Sequence, residues 1–440
     1  MINFRKVIQS LVTEVLQGRL NNEKYYHQRR VLLKKILLST IVTPFVMDKT
    51  YAGVGNELEQ GENKVVDNNE RFSNNVQITD CNINRVGWEN KELVSIQDFM
   101  SDYEIADANS SRPSLDHSKA LIEALRISPH VYFPNVKGYY LIKNVILPKG
   151  CWLVGNSSLP YTVNSKEDIL GVGAGIVLAD GGTAIFKFDT NVTFFGIVQY
   201  GGPSYKIDGL QVVDKSLIGV FRAFYCGFYG FRIAIGENNK YVGVDLNGCM
   251  ISSNFRGVQN ILDSKIQGGT INNNHDDGVN LQEGANDNVF INIKNEWNRG
   301  NNYFAYRAKN NVITSGICDR AAFCGVKSIE STWIVSGAVF RRNGSKAGES
   351  KESCHFYMEG KEAELILNGV YTAIGQNDNR DGVVSPAYSL TTFGSSENQK
   401  LIVSGSDLTG CTKNTWNNIS IPARFAISGN IGMSNSTIKN

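Results

Sequence analysis

Gly248-Cys249-Met250, Gly269-Thr270-Ile271, Ile291-Asn292-Ile293, Gly316-Ile317-Cys318 and Gly337-Ala338-Val339 open five runs that overlay without a gap, and their spacing decides the fold. The first four runs each reach a second glycine nine residues on, at Gly257, Gly278, Gly300 and Gly325. Start-to-start spacings of 21, 22, 25 and 21 residues lie in the range where a fixed period marks a solenoid. The third position is apolar throughout (Met250, Ile271, Ile293, Cys318, Val339). An apolar ladder flanked by polar residues suits short stacked strands with one face inside and one in water. The overlay predicts an all-β, single-stranded parallel β-helix.

Outward from that stack, 440 residues at 42% hydrophobic can bury a large core, and 43 glycines against nine prolines favour many short strands. Asparagine tolerates left-handed turns and stacks in hydrogen-bonded ladders, so Asn-rich turns need no functional role. A net charge of +2 from dispersed residues supplies no stripe for a nucleic-acid backbone and excludes that partner class. The eight cysteines show no CxxC spacing, which argues against zinc or redox chemistry and for small buried hydrophobes.

Residues 1–52 carry an amphipathic helix (Phe4, Ile8, Leu11, Val15) and then Arg29-Arg30-Val31-Leu32-Leu33-Lys34 before a short apolar run. This looks like a twin-arginine export signal cut after Ala52; the alternative is an anchor or assembly segment of a virion. Residues 53–93 read as a linker, and 94–440 as the β-helix. Asp116 to Leu125 predicts a helix capped at Ser114 or Asp116, with Leu121, Ile122 and Leu125 inward, closing one end of the solenoid. Met100-Ser101-Asp102-Tyr103-Glu104 reads as a loop. Strands follow at Val131-Tyr132-Phe133, Gly138 to Ile142, Val145 to Leu147 and Gly150 to Gly155, and strand-glycine units recur at Leu365, Leu401 and Phe425. Tyr200, Tyr205 and the aromatics between Phe221 and Phe231 read mainly as core.

That opening strand, capping helix, "V-Y-F-P…G-Y-Y-L-I" pair, "L-P-K-G" turn and "W-L-V-G-N" strand resemble the start of the pectate-lyase-like right-handed parallel β-helix superfamily, to which phage tailspike depolymerases belong. The resemblance covers about residues 90–430. It implies a right-handed coil and a polysaccharide partner, with a possible homotrimer, in an exported protein or a virion tail. It implies no cofactor. The activity implied is cleavage of a bacterial capsular or exopolysaccharide by hydrolysis or β-elimination, with a non-catalytic polysaccharide-binding or structural role as the alternative.

The gap-free overlay places Lys294 against Asp319 and gathers His275, Asp276, Asp277, Glu296, Trp297, Arg299 and Arg320 on one face. A hydrolase needs two carboxylates across the bond, available from Asp276, Glu296 and Asp319. A lyase needs a cation for the uronate and a base, roles suited to Arg320 or Arg299 with Lys294 or His275. Trp297, Arg299 and Asp277 are candidate substrate contacts, the indole as a stacking surface for sugar rings. His275-Asp276 matches part of the Asp-Pro-His-Asp motif of the superfamily's epimerases. Adjacent Asp276 and Asp277 could hold calcium beside a uronate, though the spacing alone assigns no metal. The competing reading of every charged residue here is a solvated surface ladder.

Overall fold

The computed structural model describes residues 93–213, 219–377, 385–394 and 397–438; the N-terminal helix, export pattern and most of the linker lie outside them. The chain winds as a right-handed parallel β-helix with three strands to a coil. Two faces merge into a 22-stranded sheet, and the third is an 8-stranded sheet. The coil that begins at Lys265–Gln267 (first face) continues through Thr270–Asn272 (second face) and Val279–Leu281 (third face). Strands pair in parallel with their counterparts one coil on, as Lys265 with Val289, Thr270 with Lys294 and Val279 with Tyr303, and Ser436–Ile438 closes the sheet antiparallel to Arg424–Ser428.

The period is legible in the sequence, but the register differs from the gap-free overlay. The residue that repeats between first and second faces is a left-handed one: Gly248, Gly268, Asn292, Ser315 and Gly337, with φ of 65°, 62°, 52°, 63° and 62°. Glycine, Asn and Ser all fill this site because small or side-chain-bonding residues tolerate positive φ. Gly269 and Gly316 stand one residue after it, and Ile291 one before, so the runs slip against each other. The inward position of the second face is therefore Ile251, Ile271, Asn295, Cys318 and Phe340, all buried. Met250 and Val339 lie on the outward side. Gly300 also leaves its expected ladder; the third-face series is Gly257, Gly278, Asn302 and Gly325.

The interior is one continuous apolar cluster in which Phe188, Phe194, Phe221 and Phe228 meet with ring centroids 5.0–6.0 Å apart. Tyr200 and Tyr229 are buried as well, while Tyr225 is exposed. Stacked asparagines close the turn after the second face. Asn254 accepts from Phe231 N, Asn274 from Asn254 N and Asn298 from Asn274 N, at 3.0, 3.2 and 3.2 Å. Each side chain thereby satisfies a buried backbone N–H that would otherwise cost about 1–3 kcal/mol. The seven cysteines among the described residues are free, and all but Cys411 are buried.

Two helices close the N-terminal end. Helix α1 (Asp102–Ala108) occupies the segment expected to be a loop. It is held by a capping box in which Glu104 N donates to Ser101 and Ser101 N to Glu104. Helix α2 (Ser118–Ile127) buries Ala120, Leu121 and Ala124, with Leu125 partly buried against the core. Ile122, expected inward, is 39% exposed, because the buried stripe follows 120, 121 and 124. Among the described residues no helix is long and apolar enough to cross a membrane.

Candidate active site

On the second face, Ser252, Asn272, Glu296, Asp319 and Arg341 occupy equivalent positions on successive strands. Strand alternation sends these side chains out of the coil. The neighbour of Asp319 is thus Glu296, where the overlay expected Lys294; Lys294 pairs in register with Ile317 and contacts Glu296.

Glu296 lies beneath a loop. Its neighbours are Tyr161, whose hydroxyl donates to Oε1, and Lys294, whose Nζ is 2.9 Å from the same oxygen. Lys294 Nζ also donates to Tyr161 Oη at 3.1 Å, closing a Tyr–Lys–Glu triangle. Burial, with Glu296 3% exposed, pushes its carboxyl up to about 7, and the negative charge of Asp319 adds to the shift. Burial, Arg341 and Arg320 together hold the Lys294 ammonium below its ordinary value, against the opposing pull of Asp319. Both shifts bring proton affinities toward neutrality, where acid–base groups work best.

Tyr161 carries no sequence pattern that singles it out. It reaches the site on the loop between Trp152–Val154 and Gly175–Leu178, which lies along the second face. Tyr229 Oη donates to Pro160 O at 2.5 Å, Tyr200 Oη to Asn164 O at 3.2 Å, and Val163 N to Ser253 Oγ at 3.3 Å. These bonds hold Tyr161 from both sides while leaving it 45% exposed, so Tyr161 and Lys294 are the members of the triangle that reach the surface.

Asp319 is organised differently. Its side chain is 0% exposed and faces three arginines. Arg342 grips both oxygens, Nε donating to Oδ1 at 2.9 Å and Nη2 to Oδ2. Arg320 Nη1 donates to Oδ2 at 3.3 Å, and Arg341 Nε lies 3.0 Å from Oδ2 without the alignment of a hydrogen bond. A carboxylate so enclosed anchors the cations and offers no oxygen to a substrate. Trp297, Arg320 and Arg342 follow one another at equivalent turn positions with φ of 57°, 52° and 51°. Left-handed backbone at such bulky residues costs about 1–3 kcal/mol each, and it continues a turn ladder that Ser253 and Asn273 begin with φ of 56° and 50°. The Arg320 guanidinium lies 4.2 Å from the centre of the Trp297 ring, so the indole supports an arginine on one face.

The remaining candidates sit around the corner. His275 Nε2 is 2.8 Å from Tyr205 Oη, and burial followed by Arg299 lowers its proton affinity. Asp276 pairs with Arg256 at 2.7 Å. Buried Asp277 accepts from Asn301 N at 2.7 Å and from Asn280 Nδ2 at 2.6 Å; desolvation, then Asp276, raises its carboxyl. The two adjacent aspartates thus serve different partners. Together with Arg299 they line a separate groove of about 420 Å³ that includes none of Tyr161, Lys294, Glu296 or Asp319. The residues expected from the overlay to form a single patch fall into two separate groups.

No protein-family model matches the chain. Among solved structures it is similar to the enzymatically active domain of tailspike protein 2 of bacteriophage CBA120, with a TM-score of 0.54 and 13% identity over 72% of this chain and 48% of that one. It is also similar to DFA-IIIase of Arthrobacter chlorophenolicus A6 crystallised without its lid, with a TM-score of 0.51 and 12% identity over 78% of this chain and 93% of that one. The chain spans about half the length of the tailspike domain it matches. At these identities the likeness is one of fold, the right-handed parallel β-helix that the capping helix and strand pairs resembled from sequence.

Proposed function

We propose that this chain cleaves an acidic polysaccharide at the Tyr161–Lys294–Glu296 triangle by β-elimination beside a uronate. The observation that carries this reading is the pairing of a proton-exchanging group, Glu296 at about 7, with an anchored arginine cluster one strand away. Arg320 and Arg341 neutralise the sugar carboxylate and so acidify the C5 proton. Tyr161 Oη takes that proton as its own passes to Glu296, and Lys294 stabilises the charge that develops on the phenolic oxygen. The C5–H electron pair becomes the C4–C5 double bond, the C4–O bond breaks, and the leaving oxygen takes the C5-derived proton from Tyr161 to form a new chain end, while Glu296 returns its proton to the phenolic oxygen.

Elimination is favoured over hydrolysis because hydrolysis asks for two carboxyl groups facing the bond. Asp319 is enclosed by arginines, and Asp276 is paired with Arg256 in the other groove. Both similar structures are consistent with a saccharide-directed β-helix, and a polymeric substrate fits an exported or virion-borne protein. The test compares a uronate-containing polysaccharide with the same polymer after reduction of its carboxyl groups. Cleavage of the first and loss of cleavage of the second is the expected result; equal cleavage of both overturns the role of the arginines. Binding without cleavage across acidic polymers moves the protein to the non-catalytic reading.

A further inference from the structure

The groove around the corner from Tyr161 has an order of its own. Its floor is an outward ladder of the third face: Asn280, Phe304 and Lys327 occupy equivalent positions on three successive strands. At ~4.8 Å per strand this floor is about 10 Å long. Its wall is a second ladder, in which Gly300 N donates to Asp276 O at 3.0 Å and Phe323 N to Gly300 O at 3.2 Å. Glycine is required between Asp276 and Phe323, since a Cβ at 300 would lie 2.5 Å from Asp277 Oδ1. The wall therefore lacks a side chain at its middle rung.

The chemistry of the lining suits a sugar. Arg256–Asp276 at 2.7 Å and Lys327–Glu352 at 2.9 Å present donors and acceptors side by side, which is what vicinal hydroxyls need. Asn280, Asn301 and Gln282 add amides, and Phe304 and Phe323 offer ring surface to the C–H face of a pyranose. Arg299 is exposed at the rim and has no carboxylate partner among the described residues, leaving one guanidinium for an anion. The volume of about 420 Å³ falls in the ~300–1,000 Å³ range of ligand sites.

The geometry points to a second carbohydrate site in this groove, one that holds a short carboxylate-bearing oligosaccharide segment while the second face works on another part of the same polymer. The inference rests on the reading of the substrate as an acidic polysaccharide. Two sites on one strand act by effective concentration, so the groove raises polymer affinity without touching the chemistry.

The experiment titrates the full chain with polygalacturonate, alginate and hyaluronan and with their hexasaccharides, by calorimetry. It uses Glu296→Gln to stop turnover and adds Phe323→Ala with Gln282→Ala in the groove, melting curves serving as the folding control. The expected result is two hexasaccharide sites per chain in the Glu296→Gln protein and one after the groove substitutions. Polymer affinity should fall about tenfold or more, and in the otherwise wild-type background KM for polymer should rise at unchanged kcat. A single site in both proteins, or polymer affinity unchanged by the groove substitutions, overturns the second site and leaves the proposed function standing. Groove-dependent binding in a protein that cleaves none of the polymers overturns the proposed function and leaves the second site standing; no binding to any probe overturns both.

Discussion

Glu296 and Asp319 occupy paired positions on neighbouring parallel strands, yet the two carboxyl groups have opposite surroundings. Asp319 is enclosed by Arg320, Arg341 and Arg342, whereas Glu296 meets one lysine and one tyrosine and is raised to about 7. Burial first, and then the charge of Asp319, help keep a proton on Glu296, and the arginines that Asp319 anchors limit that effect. One carboxyl anchors an arginine cluster and the other is buried with a raised proton affinity.

Replacing Glu296 by Gln separates activity from stability. Loss of the proton-exchanging group should lower kcat by about 10²–10⁴-fold. Stability should move the other way. The folded carboxyl at about 7 sits above its ordinary value of 4.5, so the native state binds more protons than the unfolded chain between those pH values. Wild-type stability therefore falls as pH rises through that window. The Gln variant escapes the loss, gaining about 1–3 kcal/mol above pH 7 and little below pH 4.5. Denaturation midpoints at pH 4 and pH 8 check this; a variant less stable than wild type at pH 8 contradicts it.

Asp319→Asn should behave as a folding mutation. Removing the charge beneath three arginines leaves buried cations without compensation, at a cost of about 3–5 kcal/mol. Chemical denaturation measures it. A variant with wild-type stability and no activity would instead assign Asp319 a direct chemical role.

Tyr161→Phe keeps the loop in place, because the loop is held through Pro160 O, Asn164 O and Val163 N and not through the phenol. It should lower kcat by about 10²-fold or more with KM nearly unchanged. A fall confined to KM would make the tyrosine a binding group.

Asn298→Ala should destabilise strongly although it lies in a turn. Its amide donates to Asn295 and Asn302 at 2.7 Å each and its carbonyl oxygen accepts from Asn274 N and Nδ2. Stranding those buried groups costs about 3 kcal/mol or more in total. Urea unfolding reads it directly, and a cost below that of a surface substitution would remove the ladder from the stabilising interactions.

The solenoid was legible because its period survives substitution: the apolar and glycine positions repeat even where the residue changes. The register was not, because the repeating left-handed site is filled by Gly268, Asn292 or Ser315 according to the coil, and only backbone geometry identifies it. That slip of one or two residues separated Glu296 from Asp319 on paper. Helix α1 is missed because Met100 to Glu104 read as a loop, although Ser101 and Glu104 carry the Ser-x-x-Glu pattern of the capping box that starts it. Tyr161 could not have been placed from sequence, being 135 residues from Glu296 and brought there by a loop with no periodic signal. Nor could charge alone divide Asp276 from Glu296, which requires knowing where the chain turns between faces.

The most direct test of β-elimination at Tyr161–Lys294–Glu296 counts new reducing ends and unsaturated-sugar absorbance in the same digest of a uronate-containing polysaccharide. The account predicts the two signals in equal molar amounts, both lost in Glu296→Gln. Reducing ends without the absorbance would contradict it and assign the bond cleavage to hydrolysis.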